Sequence, residues 1–282
     1  AQIYKDDGFH TISTNPCSEI TLSAYDSCRL LLLNTTSFVN NAFTKKAEFD
    51  YDLFREVSGK AQRLMDDLID LEIECVDKII NKIKEDPEGD EVKRNELLLW
   101  KKVKEVAQAG RRTGLGVTGI GDTLAMLGEK YGSKKSIKQT EKIYQTLAIG
   151  SYESSCHLME RLFEAAPELR ELHRDHGRRN IALTTTAPCG SVSVLTQTTS
   201  GIEPAFMLKY TRRKKINPND ATAQVDFVDD LGDKWQEFDV YHHAFKKWMD
   251  ATGLTEIEDS PYASATANEI DWVSKVKMQA AA

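Results

Sequence analysis

The sequence predicts an α/β fold, and two observations support this class. Long segments with apolar residues at helical spacing alternate with short β-branched or leucine-rich runs. Turns that contain glycine or proline separate most of these segments. The chain has 282 residues, of which 40% are hydrophobic and 29% charged, which is ordinary for a globular protein of one large domain or two small ones.

The first elements are a strand, a loop and a long helix. Residues 1–11 are polar and are expected to be extended or loose, whereas residues 12–33 predict a strand, a loop and a leucine-rich buried stretch. Residues 50–84 predict a helix, which the proline- and glycine-containing run 86–90 ends. The helix prediction depends on apolar residues at helical spacing: Leu53, Phe54, Val57, Ala61, Leu64, Met65 and Leu68.

The middle of the chain continues this alternation. A second helix is expected over 91–108, followed by a short strand over 115–118. Further helices are expected over 122–130 and 136–165, and Pro167 ends the second of these.

The last part of the chain begins with a strand over 180–186, because NIALTTT is apolar, β-branched and bounded by turn residues. A polar stretch surrounds residues 217–220. Helices are then expected near 240–251 and 265–282.

Charge and cysteine usage exclude several classes of protein. The net charge of −7 argues against a nucleic-acid-binding surface. No secretory signal is visible, and the longest leucine run, Leu30 to Leu33, is far too short to cross a bilayer. Five cysteines without disulfide-scaffold spacing fit a reducing compartment. We therefore predict a cytoplasmic protein with no membrane and no nucleic-acid partner.

The segment Asn15-Pro16-Cys17-Ser18-Glu19 concentrates reactive groups on one short loop. Pro16 cannot continue a strand ladder and disfavours helix at Asn15, so this segment predicts a loop tip, where catalytic groups are often found. Its side chains offer an amide for hydrogen bonding, a thiol that can carry a radical or a negative charge, and a carboxylate that can act as a base. A second thiol, Cys28, lies eleven residues beyond Cys17.

A glycine- and serine-rich turn follows the strand predicted over 180–186. The run Ala187-Pro188-Cys189-Gly190-Ser191-Val192-Ser193 leads into Thr199-Ser200-Gly201-Ile202-Glu203-Pro204. Such a turn directs successive backbone N–H groups at an anion. A phosphate-bearing substrate is therefore expected.

Two other kinds of site find little support. Gly114 to Gly119 matches the GxGxxG pattern of dinucleotide-binding proteins, but the preceding segment predicts a helix and only Glu141 stands near the required acidic position. Close backbone packing in a strand explains these glycines better than a nicotinamide-dependent dehydrogenase does. No metal site is predicted, because His242 and His243 are adjacent and no cysteine or carboxylate stands at zinc-ligand spacing.

Six motifs, in order between residues 15 and 204, resemble the catalytic subunit of ribonucleotide reductase, and the resemblance runs from about residue 12 to residue 279. They are NPCSE at 15–19, DSC at 26–28, GRRTGLGVTGIGDTLAMLG at 110–128, GRRNIAL at 177–183, APCGSVS at 187–193 and SGIEP at 200–204. The resemblance implies the second half of a ten-stranded α/β barrel, with long flanking helices and a central finger loop. Residues 1–282 are then the C-terminal portion of the catalytic barrel domain, and an upstream half and a C-terminal tail are expected outside them.

The resemblance also implies the reduction of ribonucleotides to 2′-deoxyribonucleotides for DNA synthesis, with roles for residues of the motifs at 15–19, 26–28 and 187–193. Cys17 is the expected thiyl radical that takes the 3′ hydrogen, Glu19 the base on the 3′ hydroxyl, and Asn15 a hydrogen-bond donor or acceptor nearby. Cys28 is expected to be half of a redox dithiol that ends as a disulfide. The substrate-binding residues implied are Asn15, Pro16, Cys17, Ser18, Glu19, Pro188, Cys189, Gly190, Ser191, Val192 and Ser193. Position 189 departs from the family, which usually carries a hydroxyl residue there.

The partners follow from the same resemblance. The segments 26–39, 61–72 and 230–248 most resemble the adenosylcobalamin-dependent subgroup, so this cofactor is expected. A ribonucleoside di- or triphosphate, a thioredoxin- or glutaredoxin-type reductant, the missing N-terminal half and a homodimeric assembly are also implied. The alternative is a non-catalytic half-barrel that is active only together with its missing half.

Overall fold

The computed structural model describes residues 8–27, 29–165, 177–219 and 222–282. It begins with a short hairpin of strands β1 (Ser13–Thr14) and β2 (Thr21–Leu22), in which Ser13 pairs with Leu22 and Thr14 with Thr21. Residues 15–20 form the tip of this hairpin. The predicted strand and loop after residue 12 are therefore confirmed, although the strands are only two residues long.

A parallel sheet lies behind the hairpin. Strand β3 (Leu30–Asn34) pairs in parallel with a later strand, β6 (Gly114–Thr118), from Leu30 opposite Gly114 to Asn34 opposite Thr118. The segment 182–185 then bonds to the other edge of β6, where Leu115 and Thr184 form a parallel bridge. Two elements with antiparallel pairing, β4 (Val39–Asn40) and β5 (Glu48–Phe49), follow β3 after a 3₁₀ turn at Thr35–Phe38.

Four helices belong to this part of the fold, and all but the second contribute buried side chains to its core. They are α1 (Tyr51–Glu85), α2 (Asp90–Gly110), α3 (Ile120–Met126) and α4 (Lys134–Ala165). The side chain of Asp50 caps α1 by accepting a hydrogen bond from the Leu53 amide at 2.9 Å. Because α1 and α4 cross at Gly59 and Gly150, their backbones approach closely. A methyl group at position 150 would lie 2.6 Å from the Arg55 carbonyl oxygen.

The main core lies where these helices meet the parallel sheet. Its fully buried members from these helices and β6 are Phe54, Met65, Leu115, Ile120, Leu124, Ile143 and Leu147, and Met278 near the C-terminus joins them. The strand β6 is buried along its whole length, as expected for a strand of a parallel sheet covered by helices. Strand β3 is not: Leu30 is 43% exposed, so the prediction of a buried leucine stretch was too strong.

The C-terminal region differs most from the sequence prediction. A short helix, α5 (Gly190–Thr196), precedes an antiparallel sheet of β7 (Lys209–Lys215), β8 (Phe227–Val228) and β9 (Lys234–Tyr241), ordered β7-β9-β8. Helix α6 (His243–Thr252) begins three residues later than predicted, because residues 240 and 241 end β9. A 3₁₀ turn (Ile257–Asp259) follows, and α7 (Trp272–Ala281) is shorter than the helix expected over 265–282.

The α/β class is confirmed. Among the described residues the strands do not close into a barrel. The parallel arrangement of β3, β6 and segment 182–185 is consistent with part of an α/β barrel. No helix within the described ranges is long and apolar enough to cross a membrane.

Candidate active site

The tip of the first hairpin is held in shape by Asn15. Its backbone N–H donates to the Ile20 carbonyl at 3.1 Å, and its side-chain Oδ1 accepts a hydrogen bond from the Ile20 amide at 3.0 Å. Its carbonyl accepts a third bond from the Ser18 amide at 3.0 Å. Ser18 has a φ of 64°, which turns the chain sharply at this point. Asn15 is buried, and Pro16, Cys17 and Ser18 are exposed at the tip.

Cys17 and Glu19 sit on either side of this sharp turn. Cys17 is an exposed free thiol. Glu19 is half-buried, and its Oε2 atom is buried without a hydrogen-bond partner among the described residues. A buried carboxylate oxygen is stabilised when it accepts a hydrogen bond, for example from a hydroxyl group. The Glu19 Oε2 can therefore accept a hydrogen bond from a bound molecule. Cys28 lies outside the described residues.

The hairpin tip is tied to the parallel sheet. The Thr185 Oγ1 donates a hydrogen bond to the Glu19 carbonyl at 3.0 Å. Gly114 lets the hairpin come close, because a methyl group at this position would lie 2.8 Å from the Ile20 Cδ1. The tip therefore lies beside the end of segment 182–185, three residues before Pro188, where the predicted phosphate turn begins.

The glycines of the GxGxxG pattern serve this packing. Gly114 and Gly116 lie inside β6, and a methyl group at Gly116 would lie 2.8 Å from the Thr185 carbonyl oxygen. Only Gly119, with a φ of 85°, stands at the turn from β6 into α3. Close backbone packing within a strand is confirmed, and the arrangement of a dinucleotide-binding loop is not present.

The predicted phosphate turn runs from Pro188 into the first turn of α5. The amides of Gly190, Ser191 and Val192 come from the start of the helix, where backbone N–H groups lack acceptors within the helix, and all three residues are exposed. The Ser193 amide donates to the Cys189 carbonyl at 2.8 Å, and the Ser193 hydroxyl donates to the Gly190 carbonyl at 2.7 Å. Pro188 is exposed before the turn.

The unusual Cys189 faces the interior. Its side chain is 3% exposed, and its Sγ lies 3.9 Å from the Val117 carbonyl oxygen and 3.8 Å from the Ser200 Oγ. Tyr144 lies nearby, and burial raises its pKa to about 12, with the neighbouring thiol adding to the effect. The thiol is thus a packing group on the inner side of the turn, which leaves the backbone amides as the donors on its outer side.

A loop clamp, Thr198 to Gly201, fixes the far end of α5. The Gly119 amide donates to the Thr199 carbonyl at 3.0 Å, and the Ile120 amide donates to the Gly201 carbonyl at 3.1 Å. The Thr198 amide in turn bonds to the Ser193 carbonyl at 3.0 Å. Through these bonds the turn at 187–193 is fixed to the end of β6.

Asp122 is the polar centre of this clamp, and sequence reasoning missed it. Its carboxylate is fully buried and accepts hydrogen bonds from the Thr199 amide at 2.8 Å and the Tyr262 hydroxyl at 2.9 Å. Its Oδ1 also lies 2.6 Å from the His242 Nε2. Burial raises the pKa of Tyr262 well above its ordinary value, with the Asp122 charge next in importance, so Tyr262 remains a neutral donor.

A weak signal for Asp122 was present in the sequence. It is the one acidic residue in the apolar helix Ile120–Met126, and a lone carboxylate there needs hydrogen-bond donors. Its donors His242 and Tyr262 are distant in sequence and could not be named in advance. Between the clamp and β7 lies a cavity of about 450 Å³, lined in part by Ser193, Glu203 and His242.

A second buried network fixes the start of segment 182–185. Asp66 accepts hydrogen bonds from the Arg111 Nε at 2.7 Å, the Arg179 Nε at 2.8 Å and the Asn180 Nδ2 at 2.9 Å. Burial opposes ionisation and by itself raises the pKa of Asp66. The hydrogen bonds outweigh this effect, with Arg111 contributing most, and hold the pKa of Asp66 below its usual value. The network joins α1 to the C-terminal end of α2 and positions the segment that leads to the phosphate turn.

Among residues 8–27, 29–165, 177–219 and 222–282, no group of three or more histidine, cysteine or acidic side chains is placed to hold a metal ion. His242 bonds to Asp122, as described above, and does not pair with His243 in such a group.

Comparison with known proteins decides the family. The family model described as "Ribonucleotide reductase, barrel domain" matches residues 7–165 and 160–282. The chain belongs to the ribonucleotide reductase barrel-domain family. The predicted membership and the barrel-domain fold are thereby confirmed.

Curated relatives of similar sequence include enzymes named as vitamin B12-dependent. A vitamin B12-dependent ribonucleoside-diphosphate reductase of Mycobacterium tuberculosis is 31% identical over 71% of this chain and 25% of its own length. An enzyme of the same name from Thermoplasma acidophilum is 28% identical over 95% of this chain and 32% of its own length. The chain therefore spans about a quarter to a third of these reductases.

A solved structure supports the fold. The class Id ribonucleotide reductase alpha subunit of Actinobacillus ureae superposes with a TM-score of 0.59 over 99% of this chain and 46% of that chain. The sequences are 19% identical, so this likeness concerns the barrel fold alone.

Proposed function

We propose that this chain carries the finger loop and the phosphate turn of a ribonucleotide reductase that converts ribonucleoside di- or triphosphates to 2′-deoxyribonucleotides. The observation that carries the proposal is the hydrogen bond from the Thr185 Oγ1 to the Glu19 carbonyl at 3.0 Å. It joins the loop that bears Cys17 and Glu19 to segment 182–185, which leads into the turn at 188–193. Two motifs far apart in sequence thereby become neighbours.

The groups at the loop tip suit the proposed chemistry. As a thiyl radical, Cys17 removes the hydrogen atom from the 3′ carbon of the ribose, and it can reach a substrate because its side chain is exposed. Glu19 accepts the proton of the 3′ hydroxyl, a role for which its unpartnered Oε2 is suited. Asn15 shapes the tip and, we propose, hydrogen-bonds the same part of the sugar.

The phosphates of the substrate would bind at the start of α5. The exposed amides of Gly190, Ser191 and Val192 are the proposed donors, and Pro188, Cys189 and Ser193 complete the turn. Because the Cys189 thiol and the Ser193 hydroxyl bond within the protein, backbone amides would supply most of the contacts.

Reduction of the ribose also requires two electrons. We propose that Cys28 supplies them as one member of a dithiol whose partner lies elsewhere in the whole enzyme, and that a thioredoxin- or glutaredoxin-type protein restores the pair. The whole enzyme is proposed to act in the cytoplasm, as a homodimer.

Adenosylcobalamin is the proposed radical source, on the strength of the names of the M. tuberculosis and T. acidophilum relatives. When bound, it supplies a carbon radical able to take the hydrogen atom of a thiol. The exposed position of Cys17 fits such an external source. The cofactor carries its own cobalt, so the donor set of this chain need not include a metal-binding cluster.

The alternative is that the 282 residues alone are inactive and act only with the remaining half-barrel. One feature of the structure supports this alternative. Among the described residues, no strand pairs with the outer edge of segment 182–185. An unpaired edge of this kind is suited to another strand.

One experiment tests the proposal. The full-length enzyme is assayed for deoxynucleotide with adenosylcobalamin and a dithiol, beside Cys17→Ser and the control Cys75→Ser, which changes an exposed thiol on α1. We expect Cys17→Ser to abolish product and Cys75→Ser to retain it. Product formed by Cys17→Ser would refute the radical assignment. Turnover by residues 1–282 alone would exclude the half-barrel alternative.

A further inference from the structure

The antiparallel sheet β7-β9-β8 has two faces with different charge. In such a sheet paired residues lie on the same face, so the odd-numbered residues of β7 share a face with their partners on β9. This odd face is neutralised: Lys209 pairs with Asp239 at 2.8 Å, Arg213 with Glu237 at 2.7 Å, and Lys215 with Asp233. Arg213 also lies over the ring of Phe227.

The opposite face, here called the basic face, lacks this neutralisation. Its members are the even-numbered residues of the three strands: Tyr210, Arg212, Lys214, Val228, Lys234, Gln236, Phe238 and Val240. Three of them are cations and none is acidic, although the whole chain has a net charge of −7. Arg212, Lys214 and Lys234 form no ion pair with any residue in the described part of the chain. Tyr210 and Phe238 are 45% and 40% exposed.

Strand β7 is also an open edge. All seven of its residues are exposed, and within the described ranges only β9 pairs with it. Bonds from the Ile216 amide to Lys234 and from the His242 amide to Leu208 fix the register. Because antiparallel bonding recurs at every second residue, the even positions of β7 bond to β9. The backbone N–H and C=O groups of residues 209, 211, 213 and 215 therefore point away from β9, toward the open edge of the sheet.

We propose that β7 binds an extended acidic polypeptide segment, which adds to the sheet as a further strand. Its backbone would pair with residues 209, 211, 213 and 215, and its acidic side chains would lie beside Arg212 and Lys214. The backbone contacts supply a template for any extended chain, and the cations select an acidic one. This proposal is independent of the ribonucleotide chemistry.

The charge of β7 excludes a second copy of the same strand. Its sequence KYTRRKK has five cations and no acid, so two such strands side by side would repel. Single-stranded nucleic acid could use the cations and the aromatic rings, but it has no groups that match the alternating N–H and C=O of a strand edge. The open backbone edge is what favours a polypeptide.

Fluorescence anisotropy with the full chain tests the proposal. The probe is a labelled peptide of about nine residues in which glutamate alternates with threonine, a length typical of a strand. A lysine–threonine peptide and an oligothymidylate are the comparison probes. We expect the acidic peptide alone to bind, and to bind more weakly as salt is raised. Preferred binding of oligothymidylate, or no binding of the acidic peptide, would overturn the proposal.

Variants separate charge from edge pairing. Arg212→Glu with Lys214→Glu should weaken binding at least about tenfold, because cations facing the ligand are reversed. The matched control, Lys101→Glu with Lys102→Glu on the exposed side of α2, makes the same change in net charge and should leave binding within about twofold. Equal losses in both pairs would show a nonspecific charge effect and refute the proposed surface.

Thr211→Pro tests the edge itself. It removes an outward-pointing N–H and the exposed side-chain bond from the Thr211 hydroxyl to Asp239, while leaving the backbone bonds to β9. Proline is tolerated at such positions of edge strands. Binding should fall about fivefold, with the fluorescence of Trp235, which stacks on Phe227, reporting whether the sheet remains folded. In the unmodified chain, hydrogen exchange should slow at residues 211, 213 and 215 when the peptide is added. No change in exchange at these amides would contradict strand addition.

Discussion

Asp122 provides the sharpest test of how the phosphate turn is held. Asp122→Ala removes a fully buried carboxylate that accepts hydrogen bonds from the Thr199 amide at 2.8 Å and the Tyr262 hydroxyl at 2.9 Å, and that lies 2.6 Å from the His242 Nε2. Each buried donor left without an acceptor costs about 1–3 kcal/mol. Some relaxation will occur, so we expect a total loss of unfolding free energy of at least about 3 kcal/mol.

This loss is large enough to measure by thermal unfolding. A change of 1 kcal/mol shifts the Tm of a large domain by about 2–4 °C, so Asp122→Ala should lower the Tm by about 6–12 °C. Asp122→Asn retains the shape but only one acceptor oxygen, and it should give an intermediate shift. The control is Asp67→Ala on α1, whose exposed carboxylate pairs with Arg63 and contributes about 0.5 kcal/mol at most.

The comparison between the two aspartates is decisive. If Asp122→Ala lowers the Tm no more than Asp67→Ala does, the buried hydrogen bonds do not stabilise the clamp and the reasoning is wrong. A further consequence concerns the turn: the Thr199 loop holds the end of α5, so Asp122→Ala should also weaken nucleotide binding in the whole enzyme.

Three further perturbations follow from the same structure. Gly116→Ala places a methyl group 2.8 Å from a backbone carbonyl of the adjacent segment, so calorimetry should show a lower Tm than for Gly89→Ala, where no atom lies within 4 Å. The pKa of Asp66 is lowered in the folded state. Its contribution to the free energy of unfolding is therefore present above the unfolded pKa of about 3.9 and is lost as pH falls through the folded pKa. Urea titrations should show that acidification lowers the stability of Asp66→Asn less than that of the unmodified chain. Asn15→Ala removes the acceptor of the Ile20 amide and should speed hydrogen exchange at that amide by about fivefold, corresponding to about 1 kcal/mol; unchanged exchange would show that Asn15 does not hold the loop tip.

Local patterns predicted much of the fold. The long helices α1 and α4 were expected because apolar residues recur at helical spacing, and they begin and end within a few residues of the predicted positions. The loop tip around Cys17 was expected because Pro16 cannot continue a ladder, and the hairpin confirms it. Both conclusions depend on neighbours in sequence, which is why they succeed.

The three-stranded sheet shows where local patterns fail. The run KYTRRKK of β7 has no apolar alternation, since both of its faces are exposed, and so nothing in its sequence marked it as a strand. The same mistake extended the predicted helix back to residue 240, because apolar residues near the end of β9 fit a helical spacing as well. Pairing with β9, not intrinsic propensity, decides this region.

By itself the sequence determined the reactive groups and their order: the thiol and carboxylate of the 15–19 loop, the turn at 187–193 and the alternation of helices and strands. Only the tertiary structure decided which distant groups meet. Thr185 donates a hydrogen bond to the Glu19 carbonyl, and Asp122 bonds to His242 and Tyr262, which are distant in sequence. The side chain of Cys189 is buried on the inner side of its turn. The physical reason is that hydrogen bonds and packing act over a few ångströms in space, whereas sequence patterns report only on residues within a few turns of the same element.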